Sequence, residues 1–193
     1  ESLKEREDAG MFFAWLGYAY QRREFVQEAF KHLQKAIHIG EESHNQKVIG
    51  YAGSWLIETY ADLCRLDEAL QLAERVEKIA ESLQSDRALF RFALVGSGYA
   101  NLFKGNCKKE EEIGNAFLEY GRRRSDPACT ALAYKYLGIW RMSAGDLSSA
   151  IEHFKKSIEL AVEPHIIITS QLLLVNSCLA ANRPLEAEAV ARA

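Results

Sequence analysis

The chain has 193 residues, of which 48% are hydrophobic and 26% are charged, a balance typical of a folded protein in water. Its net charge of −3 at pH 7 is too small to indicate a nucleic-acid partner. The longest uncharged apolar stretch, around residues 166–175, is too short to cross a bilayer. We therefore expect neither nucleic acid nor a membrane as partner, and three prolines in the whole chain favour long helices.

The chain repeats itself with a step of about 40 residues. A leucine is followed by an alanine at the same distance along the chain in three places. The pairs are Leu16 and Ala29, Leu56 and Ala69, and Leu137 and Ala150. Aligned in this way, five repeats begin near residues 10, 50, 91, 131 and 168, with steps of 40, 41, 40 and 37 residues. Self-similarity at such a period is typical of stacked helical repeats.

Each repeat shows two apolar faces with helical spacing. In the first repeat, one face carries Phe13, Leu16, Gly17 and Tyr20, and the other carries Ala29, Leu33 and Ala36. A short polar segment, residues 21–24, separates them. The pattern predicts two antiparallel helices joined by a tight turn.

Turn residues lie where the helices should end. Gly145 can adopt the left-handed conformation that ends a helix, and Asp146 can cap the next one. Pro127 and Pro164 fall between predicted repeats, and Pro184 falls at a helix start, where a missing N–H costs nothing.

The fourth repeat resembles the tetratricopeptide repeat (TPR), with Leu137-Gly138, Gly145-Asp146, Ala150, Phe154 and Pro164 in the family's pattern. The resemblance extends from about residue 10 to the end. It implies an all-α fold, a right-handed superhelix of about five antiparallel helical hairpins. We expect one TPR-like domain over residues 1–193, with repeats at 10–49, 50–90, 91–130, 131–167 and 168–193. The last repeat looks cut short, so we expect an excerpt of a longer protein.

The chain departs from the family in two ways. Its step exceeds the roughly 34 residues of a TPR, and in this it resembles the long helical arrays of bacterial signalling proteins of the nucleotide-cyclase and transcription-activator ATPase types. The third repeat carries Glu110 where alanine is expected and Gly114 where a large apolar residue is expected. We therefore expect its second helix to be shifted, frayed or irregular.

No motif for catalysis is visible. The five histidines lack the spacing of a metal site, and no serine or cysteine has a local base signature, so we expect no enzyme activity, no metal and no cofactor. The four cysteines are scattered, which predicts buried thiols in a reducing, cytoplasmic compartment. The basic run at residues 122–124 is interpreted as a solvated helix end.

The resemblance implies a scaffold or regulatory module that binds a protein or peptide segment. In TPR proteins the first helix of each repeat lines the concave face. Carried over position by position, the partner-binding residues are Tyr18, Arg22, Tyr51, Glu58, Phe92, Tyr99, Lys135, Ile139 and Asn176. Burial of the same rings between repeats is the competing interpretation. The alternative function is a structural or dimerisation arm of a larger bacterial signalling enzyme such as a nucleotide cyclase, in which the chain forms a homodimer.

Overall fold

The computed structural model describes residues 3–83 and 86–192, and all regular structure in them is α-helical. The predicted all-α fold is confirmed. The described residues form ten helices: α1 (Leu3–Gln21), α2 (Val26–Glu42), α3 (Gln46–Asp62), α4 (Leu66–Ser82), α5 (Arg87–Lys104), α6 (Lys108–Arg124), α7 (Pro127–Ser143), α8 (Leu147–Leu160), α9 (Pro164–Ala180) and α10 (Pro184–Arg192).

The helices group into an N-terminal unit, residues 1–105, and a C-terminal unit, residues 106–193. In the N-terminal unit, α1/α2 and α3/α4 form hairpins, and the first helices α1, α3 and α5 pack side by side. In the C-terminal unit, α6 packs on α7, and the hairpins α7/α8 and α9/α10 follow. The boundary between the units separates the two helices of the third predicted repeat. The single domain over residues 1–193 stays a prediction.

The turn inside each predicted repeat contains one residue with left-handed backbone geometry. These residues are Glu24, Cys64, Gly105, Gly145 and Asn182, with φ between 50° and 80°. Their steps along the chain are 40, 41, 40 and 37 residues, the same as the steps between the predicted repeats.

The first helices begin one turn earlier than the predicted repeats. Helices α3, α5, α7 and α9 start at residues 46, 87, 127 and 164, each four residues before the predicted start. The predicted repeat starts come from recurring apolar residues, whereas the polar residue before a helix decides where that helix begins. Asn45, Asp86 and Asp126 each accept a hydrogen bond from the amide three residues later, at 3.0–3.1 Å.

Small residues bring the two helices of a hairpin close together. A Cβ on Gly17 would lie 2.6 Å from Leu33, and one on Gly138 would lie 2.5 Å from Phe154. The three repeated alanines have no exposed surface; they are Ala29, Ala69 and Ala150. Larger side chains at these glycine and alanine positions would have no room.

The prediction of buried cysteines is wrong for Cys64. This thiol is exposed because it lies in the left-handed turn between α3 and α4. Cys107 is half-buried, whereas Cys129 and Cys178 are buried. All four thiols are free.

Helix α6 runs without interruption from Lys108 to Arg124, so the second helix of the third repeat is neither frayed nor irregular. It begins three residues after the left-handed turn residue, whereas the other second helices begin two residues after theirs. Glu110, in its first turn, is fully buried. Within the described ranges neither of its carboxylate oxygens meets a hydrogen-bond donor. Burial raises the pKa of Glu110 to about 8, although the positive charge of Lys135 opposes the shift.

Candidate functional site

Five aromatic rings from α1, α3 and α5 meet in the N-terminal unit. The Trp55 ring lies at their centre, and its centroid is 4.6–5.7 Å from those of four others, which belong to Trp15, Tyr18, Tyr51 and Phe92. We call these five residues the aromatic face. Such distances are those of attractive aromatic pairs, so each ring restrains its neighbours.

Helical spacing on α1 and α3 produces this cluster. Trp15 and Tyr18 are three residues apart on α1, and Tyr51 and Trp55 are four apart on α3, so each pair shares one side of its helix. Because α3 packs between α1 and α5, Tyr51 and Trp55 contact aromatic rings of both neighbouring helices.

Exposure increases from the centre of the aromatic face outwards. Trp55 is 1% exposed and Tyr51 is 6% exposed, whereas Tyr18 and Phe92 are half-buried. Trp15 leaves 46% of its surface in water although its ring lies 4.8 Å from the buried Trp55. The site therefore presents an exposed indole on a packed support.

A polar border lies beyond the aromatic face, at the carboxyl ends of α1, α3 and α5. It consists of Gln21, Arg22, Glu58, Asp62 and Tyr99. The Gln21 amide donates to Glu58 Oε2 at 3.3 Å, and the Tyr99 hydroxyl donates to Asp62 Oδ1 at 2.8 Å. Burial raises the pKa of Tyr99, as do the carboxylates of Asp62 and Glu58, whereas the charge of Arg22 opposes the shift.

Several predicted partner residues of the N-terminal unit come together here. Tyr18, Tyr51 and Phe92 belong to the aromatic face, and Arg22, Glu58 and Tyr99 belong to the polar border. Tyr51 is different because it is buried and its hydroxyl donates to Asp86 Oδ1 at 2.8 Å. It presents too little surface to be a main contact.

The remaining predicted residues belong to the C-terminal unit. Ile139 is 5% exposed, Lys135 is half-buried and Asn176 is exposed. The Lys135 ammonium lies 5.1 Å from the centre of the Tyr136 ring. Their role in binding stays a prediction.

Sequence reasoning missed Trp15, the most exposed ring of the aromatic face. The family positions carried over to α1 included Tyr18, and Trp15 lies one helical turn before it. An aromatic pair at this spacing was a usable signal, since both rings must share one side of the helix.

Other kinds of site have little basis in the described ranges. Metal-ligating side chains do not gather in groups of three in residues 8–83 and 86–192, whose side chains the structure describes. None of the helices in the same ranges combines the length and the apolar character that a bilayer crossing requires.

Comparison with known proteins gives structural relatives only. No family model matches the chain. No curated protein matches it in sequence.

Among solved structures, BtubC (BKLC) from P. vanneervenii has a TM-score of 0.68 at 16% identity, covering 97% of this chain and 86% of that chain. The nearly identical TPR-like repeats of a kinesin light chain from Podosopora anserina give 0.69 at 18% identity, covering 94% and 91%. A signal transduction ATPase with numerous domains from Pyrococcus horikoshii, which has a tetratricopeptide repeat sensor, gives 0.72 at 18% identity. That match covers 98% of this chain and 31% of the ATPase. At these identities the likeness is one of fold, and it confirms a TPR-like helical-repeat fold.

Proposed function

We propose that this chain is a non-catalytic scaffold or regulatory module that binds a protein segment on the aromatic face and its polar border. The observation that carries the proposal is the state of Trp15, which is 46% exposed yet packed on buried Trp55. Exposed aromatic rings that are already ordered contribute contact area at little cost in conformational entropy. The helical-repeat fold supports the proposal, because side-by-side first helices create an extended surface.

The site has two kinds of surface for such a segment. Trp15, Tyr18 and Phe92 offer an apolar surface for side chains of the partner. The polar border adds the positive charge of Arg22 and the negative charges of Glu58 and Asp62, which can fix the register of the segment. In this proposal the module works in the cytoplasm, where its free thiols stay reduced.

Peptide selection tests the proposal and does not require that the partner be identified first. A display library of random peptides is selected on the immobilised chain, and the affinity of enriched peptides is measured by fluorescence polarisation. We expect Trp15→Ala to weaken binding by about tenfold or more, the loss of a central aromatic contact. Phe25→Ala is the matched control, since Phe25 is 52% exposed but lies outside the aromatic face.

Circular dichroism melting establishes that both variants stay folded. Peptides that bind wild type and Trp15→Ala with equal affinity would overturn the placement of the site. Selection that yields no saturable binder would overturn the segment-binding function itself.

The second candidate function is a structural or dimerisation arm of a larger bacterial signalling enzyme. It is favoured by exposed aliphatic residues on α9, among them Ile168, Leu172 and Leu179. Size-exclusion chromatography with light scattering distinguishes the two, because a scaffold for peptides needs no second copy.

A further inference from the structure

Two carboxylates on α3 lie beside two aromatic rings on α5, at the carboxyl ends of both helices. Glu58 and Asp62 are one helical turn apart on α3, so they share one side of that helix. Tyr99 and Phe103 have the same spacing on α5. Counted from the left-handed turn of each repeat, the two carboxylates and the two rings occupy equivalent positions. We call these four residues the acidic–aromatic patch.

A hydrogen bond joins the two sides of the patch. The Tyr99 hydroxyl donates to Asp62 Oδ1 at 2.8 Å, and the centroid of the Tyr99 ring lies 4.8 Å from that of Phe103. Phe103 is 54% exposed and Asp62 is exposed, whereas Glu58 and Tyr99 are half-buried. The patch therefore presents a carboxylate and an aromatic ring to water on the two sides of one hydrogen-bonded contact.

Positive side chains of the chain itself do not occupy the patch. In the part of the chain whose side chains are described, Asp62 forms no ion pair, and no cation lies over the ring of Tyr99 or Phe103. Lys104 follows Phe103 in sequence, but its ammonium pairs with Asp67 at 2.7 Å. The exposed carboxylate and the exposed ring are thus available to a cation from a partner.

The electrostatic field at the patch is negative. Burial raises the pKa of the Tyr99 hydroxyl and the Asp62 and Glu58 carboxylates raise it further, whereas Arg22 opposes them and is the weakest of these influences. Arg22 is on α1 at the position equivalent to Asp62, so α3 lies between it and Phe103. Two carboxylates and one guanidinium leave an excess of negative charge, which attracts a cationic side chain and repels an acidic one.

A carboxylate beside an aromatic ring suits arginine better than lysine. A guanidinium is planar, so it can form paired hydrogen bonds with a carboxylate and can also stack on the face of a ring. An ammonium is a compact and strongly hydrated charge, which makes the same combination of contacts less favourable. Both rings of the patch can contribute a cation–π interaction.

We infer that the acidic–aromatic patch binds an arginine side chain of the partner segment, an inference that rests on the segment-binding function proposed above. The guanidinium pairs with Asp62 and stacks on Phe103, and Glu58 adds a second negative charge one helical turn away. In this arrangement the aromatic face around Trp15 supplies apolar contact area, and the patch selects the charge of the segment.

Peptides selected from the random display library on the immobilised chain are the probe that tests the inference. We expect the enriched peptides to share an arginine, and replacing it with glutamine should weaken binding about tenfold by fluorescence polarisation. Asp62→Asn keeps an oxygen that can accept from Tyr99 but removes the charge, and it should weaken binding about fivefold. Phe103→Leu removes the ring and should weaken binding about threefold.

Glu74→Gln is the matched control, because it removes the same charge from an exposed position on α4, outside the patch. Its affinity should stay within about twofold of wild type. A double-mutant cycle then locates the arginine: Asp62→Asn should change the affinity of the glutamine-containing peptide by less than about twofold, because the charge that it pairs with is gone. Circular dichroism melting establishes that the variants stay folded.

Enriched peptides that lack an arginine would overturn the inference. So would an arginine whose replacement weakens binding to wild type and to Asp62→Asn equally. If such peptides still lose affinity for Trp15→Ala, the segment-binding function stands and only the chemistry assigned to the partner is wrong. A selection without any saturable binder would overturn both.

Discussion

The Tyr51 hydroxyl donates a 2.8 Å hydrogen bond to Asp86 Oδ1, and this bond ties the first half of α3 to the start of α5. The same Asp86 oxygen accepts from the Leu89 amide at 3.0 Å, and Lys47 pairs with the other oxygen at 3.0 Å. Burial opposes ionisation of Asp86, but these donors together lower its pKa. The bond therefore joins the two helices that carry Trp55 and Phe92.

We expect Tyr51→Phe to lower the free energy of unfolding by about 1–2 kcal/mol, the cost of removing a hydrogen bond to a charged acceptor. Urea unfolding followed by circular dichroism measures the loss. A double-mutant cycle with Asp86→Ala, which removes the acceptor, isolates the bond, and the two single effects should not add. Additive effects would show that the two side chains contribute independently.

Glu110 should make the protein less stable as pH rises. Its folded pKa is about 8, and its ordinary value is 4.5, so between these values the unfolded state releases a proton that the folded state retains. Stability from this group is therefore fully present below about pH 4.5 and is lost as pH rises to about 8. The slope is at most about 1.4 kcal/mol per pH unit.

Glu110→Gln tests this assignment because the amide has the shape of the protonated acid but does not titrate. Urea unfolding at pH 5 should give similar stability for wild type and variant, and at pH 8 the variant should be the more stable. A variant that keeps the pH dependence of the wild type would assign it to another group.

Substitutions at two equivalent positions in the left-handed turns should change the free energy of unfolding in opposite directions. Cys64 has φ of 58°, which is strained for a residue with a Cβ, so Cys64→Gly should raise the free energy of unfolding by about 1 kcal/mol. Gly145 has φ of 80° and nothing within 4 Å of an added Cβ, so Gly145→Ala should cost about the same through strain alone. Thermal melting of both, with Cys64→Ala as the control that keeps the strain, checks the sign. A Cys64→Ala gain equal to that of Cys64→Gly would attribute the effect to the thiol.

The sequence predicted the features that depend on neighbours along the chain. The turn at Gly145 and the Asp146 cap, which accepts from the Ser149 amide at 3.1 Å, are local matters of backbone geometry and hydrogen bonding. The close contact of Gly138 with Phe154 follows from repeat spacing. Each of these depends on residues within one hairpin.

Depth of burial was harder to predict. Helical periodicity assigns Trp15 and Tyr51 to faces, but which ring is covered depends on the helix that packs beside it. Tyr51 is covered because α3 lies between α1 and α5, whereas Trp15 lies on an outer helix of that set. Cys64 was missed for a related reason, since a turn can place an apolar side chain in water.

Overpacking tests the alignment of the repeats most directly. Ala69 and Ala150 have no exposed surface, so Ala69→Leu and Ala150→Leu should each lower the free energy of unfolding by about 1–3 kcal/mol. Ala19→Leu is the control, because Ala19 lies in the last turn of α1 and is exposed, so a larger side chain can extend into solvent. Urea unfolding should show losses at the first two sites and a change within about 0.5 kcal/mol at the third. Small effects at both buried alanines would mean that the hairpin contacts relax easily and that the repeated alanines do not set the distance between the two helices.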